Sequence, residues 1–391
     1  LALDVARARA ETPGCANVIH LNNAGAGLMP SPVLNALTGH LELEANIGGY
    51  EAAAHAADAL EHTYDAIARL ISCHRDEVAV IENATRAWDM AFYSIPFRPG
   101  DRILTAVSEY GSNYMAFLQV AKRTGAQVEV VPNDEYGQLS VEALRGMIDE
   151  RVKLIAVTHV PTNGGLVNPA AAIGQVAREH GVTYLLDACQ SVGQMPIDVN
   201  AIGCDILAAT GRKYLRGPRA TGFLYVRRAL LDQLEPPFVD VHAARWTAKD
   251  EYVLRPDARR FENWETYMAG KIGLGVAVEY AMAWGLDAIH ARVNALADHL
   301  RAAIPTLPGG KVRDLGAERC GIVSFTVDGL DPERIKHELA PHKINVTVSS
   351  RGSTRIDMEQ RGLTDMVRAS VHYFNTEDEI ERMIGAVRRM V

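Results

Sequence analysis

Lys213 stands in the stretch LAATGRKYLRGPRATGFLYV, residues 207–226, just past an apolar run that reads as a buried strand. A primary amine placed there can form an imine with a carbonyl compound. Asp187 lies 26 residues earlier, immediately after the apolar VTYLL. An acid in that position is costly to desolvate unless a cation or strong donors face it. One lysine able to form an imine and one carboxylate able to hold a protonated ring nitrogen are the two groups pyridoxal phosphate most needs from a protein. A helix cap or a rim salt bridge would use the same aspartate, and a solvated loop would suit the same lysine.

A phosphate also needs a cradle. ENATRAWDM, residues 82–90, puts Ala84 and Thr85 at a strand-to-helix transition, where free N–H groups and the helix dipole favour an anion. Thr85 as a plain N-cap is compatible with that role. Thr210 and Arg212 supply further donors beside the lysine.

The elements that must position these groups are legible as apolar runs. Residues 78–83, 102–109, 127–131, 153–160, 182–189, 205–210 and 222–228 read as strands, several nearly continuous in apolar residues, as expected of strands buried on both faces. Helical stretches at 85–94, 113–123, 141–149 and 169–180 fall between them, which predicts a doubly wound α/β domain with a mainly parallel sheet. Ligands of such sheets collect outside the carboxyl ends of the strands. Those ends carry Glu82-Asn83, Ser108-Glu109-Tyr110, His159, Asp187 with Gln190, and Thr210 with Lys213. An Ala-rich amphipathic helix is expected over 52–71 and a long helix over about 268–304. Beyond it, CGIVSFTVDG and INVTVSS read as strands and DPERIKHELA and TEDEIERMIGAVRRM as helices, a smaller α+β unit at the C-terminal end. Domains are expected over 20–265, and over 1–19 joined to 266–391.

The net charge of −8 argues against nucleic acid or an anionic membrane as the principal partner. No apolar run approaches the ~20 residues of a membrane span, and residues 1–20 lack the apolar core of a signal peptide. Five scattered cysteines without CxxC spacing fit a reducing, cytoplasmic setting. His55, His62 and His159 have no companions at metal-ligand spacing, so no metal site is expected. GKIGLG at 270–275 lacks the preceding strand of a dinucleotide fingerprint, and Arg216, Arg219, Arg227 and Arg228 read as loop and surface salt bridges.

Together these motifs resemble the class V aminotransferase group of pyridoxal-phosphate enzymes, which includes cysteine desulfurases, C–S lyases and isopenicillin N epimerases. The resemblance runs from HLNNAGAGLMP at residue 20 to VRASVHYFNTEDEIERM, ending at 383. It implies the type I fold of these enzymes. By resemblance, Asp187 in DACQ pairs with the pyridine nitrogen, Gln190 and Asn163 lie at the ring oxygen, and Tyr110 in SEYGSN takes the stacking position usually held by histidine. Lys213 takes the place of the imine-forming lysine. Arg368 grips the substrate α-carboxylate, and Asn23-Ala24-Gly25 is the loop that closes over it. Thr266 in NWETY reaches the phosphate of a second subunit, since family sites lie at a homodimer interface.

Two departures shape the functional expectation. Arg212 precedes the lysine where the family often has histidine, and a guanidinium suits phosphate better than acid–base work. Cysteine desulfurases carry a mobile cysteine on a C-terminal loop, and residues 341–367 contain none. The resemblance therefore implies β-elimination from an S-substituted cysteine or its sulfoxide, the amino acid being held as an imine on the cofactor. Transamination and epimerisation share the first steps, and a cofactor-bound scaffold without activity is the non-enzymatic alternative.

Overall fold

The computed structural model describes residues 3–391, so the first two residues of the expected 1–19 segment lie outside the described chain. Its centre is a seven-stranded sheet. In chain order the strands are β1 (Val78–Ile81), β2 (Arg102–Ala106), β3 (Gln127–Val131), β4 (Val152–Thr158), β5 (Thr183–Asp187), β6 (Ile206–Thr210) and β7 (Gly222–Val226). Their spatial order is β1-β7-β6-β5-β4-β2-β3. Every contact from β6 to β3 is parallel, whereas β7 is antiparallel to both neighbours, so it alone runs against the rest.

Alternate residues along each strand feed two separate cores. Val80, Leu104, Ile155, Leu186 and Leu207 face one, and Ile81, Ile103, Leu154, Leu185 and Ile206 face the other with Trp88, Phe92 and Phe117. Side chains alternate across a strand, so burial of both faces demands the continuous apolar runs seen in the sequence.

Two expected helices are broken. The 52–71 segment divides into Gly49–His55 and Ala57–Ile71 at Ala56, whose N–H is shared between the carbonyls of Ala52 and Ala54. The 268–304 segment divides at Gly285 into Met268–Trp284 and Leu286–Ala303, which meet at a bend of 78°. Gly285 has φ +82°, a conformation that costs side-chain-bearing residues and so ends the helix cleanly. Among the described residues no single helix is long and apolar enough to cross a membrane. The hairpin Ala244–Ala248 with Glu251–Leu254 has no counterpart in the expectation.

The C-terminal part forms a four-stranded antiparallel sheet from β8 (Gly310–Val312), β9 (Ile322–Val327), β10 (Thr347–Ser350) and β11 (Asp365–Ser370), ordered β8-β9-β11-β10. The N-terminal chain joins this side: Ile19-His20 pairs with Ile344-Asn345, and Asn22 bridges to Ser370. Arg227 and Arg228 pair with Asp205 and Asp76. Arg216 is buried, bonded to Thr12 and Tyr373 with its guanidinium over Phe374.

Candidate active site

β1 runs in the direction of β6, so the carboxyl ends of six strands open on one side of the sheet. There Asn83, Ala84, Thr85, Tyr110, Thr158, Val160, Thr162, Asp187, Cys189, Gln190, Arg212 and Lys213 line one pocket. Seven residues singled out from the sequence, Ala84, Thr85, Tyr110, Asp187, Gln190, Arg212 and Lys213, thus meet in one place.

Asp187 ends β5 and is buried. Its Oδ1 accepts the Cys189 backbone N–H at 2.9 Å, and its Oδ2 accepts Asn113 Nδ2 at 2.9 Å. Among the described residues no lysine or arginine pairs with it, so the rim salt bridge is excluded. Lys213 is reached from the pocket but otherwise enclosed by protein, and that loss of water lowers its pKa, against the opposing pull of the Asp187 carboxylate. A lysine with weakened hold on its proton is suited to forming an imine and acting as a base.

The anion cradle is the start of the helix Ala84–Phe92. Asn83 caps it by accepting the Arg86 N–H, and among the described residues no acceptor takes the N–H groups of Ala84 and Thr85. Gly222 lets β7 approach this turn: a Cβ there would meet the Ala84 nitrogen at 3.1 Å and the Asn83 carbonyl carbon at 3.0 Å. Arg212 enters from the other side, its Nη1 held by Thr210 Oγ1 at 3.2 Å. Thr210 therefore acts from below the pocket, orienting the guanidinium.

Arg368 on β11 stands behind the opposite end, outside the pocket lining and bonded to Thr162, which does line it. Arg368 is buried, and burial lowers its pKa to about 10. Nη1 donates to the Thr162 carbonyl and hydroxyl at 2.9 and 2.8 Å, Nη2 lies 3.4 Å from Asn22 Oδ1, and Nε has no partner. Among the described residues no carboxylate pairs with it. Gln190 Nε2 donates to the Ala24 carbonyl and Thr162 Oγ1, leaving its Oε1 buried without a partner. Thr162 thus joins Gln190 to Arg368, a link invisible in the sequence because it depends on contacts across more than 200 residues.

Other expected site residues stand farther out. Asn23 Nδ2 donates to the Ser370 carbonyl, and Ala24 N–H to Ser370 Oγ, so the Asn23-Ala24-Gly25 turn is fastened to β11 at the pocket's edge. Asn163 turns its amide to the Ser350 carbonyl and Thr354 Oγ1, holding the loop after β10. Gly111 lets that loop close down, since a Cβ there would lie 2.4 Å from the Gly352 carbonyl. His159 does not line the pocket, and burial pushes its pKa down to about 4. Thr266 does not line the pocket. Glu109, Asn113 and Cys189 have no assigned role from the sequence, although Glu109 precedes by four residues, in SEYGSN, the Asn113 that lies in the first turn of the helix Gly111–Thr124.

The residues present fit pyridoxal phosphate. A carboxylate, a lysine of lowered basicity, a helix start with free N–H groups and an arginine converge on one pocket, and buried polar atoms of Gln190 and Arg368 lack partners.

The chain matches the family model described as aminotransferase class-V over residues 19–383. It is 30% identical over 380 residues to a probable cysteine desulfurase of Methanothermobacter thermautotrophicus, covering 95% of this chain and 94% of that protein. It is 32% identical over 383 residues to one from Xylella fastidiosa, covering 95% and 91%. The structure is similar to the apo cysteine desulfurase of Thermococcus onnurineus, with a TM-score of 0.92, 26% identity, and coverage of 100% and 98%. The chain belongs to the class-V aminotransferase family and is an enzyme of type I fold whose cofactor is pyridoxal 5′-phosphate.

Proposed function

We propose that this enzyme cleaves the C–S bond of an S-substituted cysteine or its sulfoxide by β-elimination. The observation that carries this reading is the kind of thiol at the site. Among the described residues Cys189 alone of the pocket lining is a cysteine, and burial holds its pKa well above the ordinary thiol value, so it stays neutral. The loop after β10 has no cysteine and is fastened by Asn163 and by close packing on Gly111. A persulfide acceptor needs a thiolate free to reach the sulfur, and neither place offers one. Relatives named cysteine desulfurases support chemistry at a cysteine-type carbon–sulfur bond.

In this reading Ala84, Thr85 and Arg212 hold the cofactor phosphate, Asp187 holds the ring nitrogen, Gln190 stands near the ring oxygen and Tyr110 stacks on the ring, while Asn163 stays outside the lining and holds the loop after β10. The bound cofactor supplies a sink for the electrons left when the α C–H bond breaks. Arg368 takes the α-carboxylate with its unpartnered edge and orients the amino acid between Thr162 and Lys213. Lys213 Nζ takes the α-proton. The β C–S bond then breaks with its electron pair on sulfur, which leaves as a thiol after taking up a proton. The remaining carbons and nitrogen end, with one water, as pyruvate and ammonium.

The same proposal includes a homodimer. Val241 and Trp246 are 74% and 75% exposed, and Phe238, Val253 and Trp264 are exposed beside them in sequence, more large apolar surface than a monomer ordinarily shows in one segment. Thr266 follows two residues after Trp264, and in this reading it reaches a second subunit's phosphate. A cytoplasmic setting is part of the reading, supported by five unpaired cysteines. So is division into a cofactor domain over 20–265 and a smaller one of 1–19 with 266–391, supported by the Arg9–Glu379 ion pair.

The test is product analysis with cysteine, cystine, S-alkyl cysteines and their sulfoxides. The proposal expects pyruvate and ammonium in equal amounts without added keto acid, together with sulfide from cysteine, cysteine persulfide from cystine, a thiol from an S-alkyl cysteine, and sulfenic acid or its products from a sulfoxide. Alanine with persulfide would indicate desulfuration, amino transfer dependent on added keto acid would indicate transamination, and racemised substrate would indicate epimerisation. A cofactor spectrum unresponsive to every amino acid would favour a scaffold.

A further inference from the structure

Glu109 follows β2 at the carboxyl edge of the sheet and is wholly buried with no cation as partner. Donors surround it instead. Oε1 accepts the Tyr110 N–H at 2.9 Å, Asn113 Nδ2 at 2.9 Å and Thr158 Oγ1 at 2.5 Å, while Oε2 accepts the Thr158 N–H at 2.9 Å and Thr105 Oγ1 at 3.1 Å. The two backbone N–H groups and the Asn113 amide can only donate to it, whereas the two threonine hydroxyls can donate or accept, so the site suits a carboxylate and also accommodates the protonated acid. The same Asn113 Nδ2 donates to Asp187 Oδ2, so one amide group spans two buried carboxylates.

We propose that Glu109 is a positioning residue for the cofactor: through Asn113 it fixes Asp187 toward the ring nitrogen, and its negative charge strengthens the hold of Asp187 on the ring proton. The inference rests on Asp187 being the partner of that nitrogen. Two like charges joined by a single amide repel each other, and a cation brought to Asp187 relieves both. Burial and Asp187 push the Glu109 carboxyl up to about 7, while its donors pull it down. The titratable groups facing the pair are Tyr184 on β5, which stays neutral, Cys189 beyond it, and Lys213 and Arg212 after β6. None of them bonds Glu109, so its charge acts mainly on Asp187.

The experiment is 15N NMR of enzyme reconstituted with ring-15N pyridoxal phosphate, titrated over pH in wild type, Glu109→Gln, Asn113→Ala and Asp187→Asn. The nitrogen shift separates protonated from unprotonated ring directly. In Glu109→Gln the ring should lose its proton at a pH about one unit lower, a tenfold weaker hold. Asn113→Ala should move in the same direction and supplies the answer should the glutamine variant not fold. A merely structural role would lower the melting temperature and leave the nitrogen titration in place. Folded, cofactor-loaded variants with the wild-type titration would overturn the proposal. If instead Asp187→Asn leaves the titration unchanged, the assignment of Asp187 itself fails.

Discussion

The two ends of the pocket are built differently. At the cofactor end the charged groups are already satisfied: both oxygens of Asp187 accept hydrogen bonds, and Glu109 behind it accepts five. At the substrate end the polar atoms are left over. Arg368 has a buried guanidinium without a carboxylate among the described residues, and its Nε has no partner. An unpaired buried charge is costly in a finished core, so its persistence marks a place that a ligand completes. The large sheet therefore presents a pre-formed holder, and the small sheet contributes, through β11, a group waiting for an anion. The comparison teaches that loss of a residue at the first end should damage chemistry, whereas loss at the second should damage binding.

The largest effect should come from Lys213→Ala, which removes the base and the imine-forming amine together. Turnover should stop, while cofactor still binds through the cradle at Ala84 and Thr85. Borohydride reduction of wild type followed by peptide mapping should find the pyridoxyl label on Lys213, and a label on another lysine would break the assignment. Next, Asp187→Asn should fold but slow proton abstraction by about 10²–10³-fold, the usual scale for removing an electrostatic stabiliser from an active site. Single-turnover rates under saturating substrate check this, and near-normal rates would contradict it.

A smaller effect concerns stability in the cofactor-free protein. The Glu109 carboxyl stands at about 7 when folded against an ordinary 4.5, so the folded state holds the proton more tightly. Its contribution is complete below about pH 4.5 and is lost as pH rises through about 7, a difference of up to about 3 kcal/mol. Glu109→Gln should therefore flatten that part of the stability curve. Denaturant melts of wild type and variant at about pH 5 and pH 8 would show it, and parallel curves would contradict the burial of a titrating carboxyl.

The sequence disclosed the cofactor end better than the substrate end for a physical reason. Strands buried on both faces write themselves as apolar runs, and polar residues at their ends, such as Asp187 and Lys213, stand out against them. Arg368 interrupts β11 with a charge, so the strand was legible only through its motif, and the pairing that carries it, with Ser324 on β9 and Thr347 on β10, is long-range. Glu109 looked like an ordinary strand end because the donors that define it include Thr158, 49 residues away. The break at Gly285 was hidden by apolar periodicity on both sides, since the glycine matters only for its positive φ. The Ala244–Leu254 hairpin buries little, so it left no apolar alternation to read.

The most direct test of the difference between the two ends is Arg368→Lys. The charge remains but the planar fork is lost, and Nε, the atom without a partner, disappears. Substrate should be titrated into wild type and variant by following the cofactor's absorption, with bound pyridoxal phosphate measured in both. Affinity for the amino acid should fall by at least ~1.5 kcal/mol, roughly tenfold, while cofactor content stays unchanged. Unaltered substrate affinity, or cofactor lost in step with it, would contradict the account.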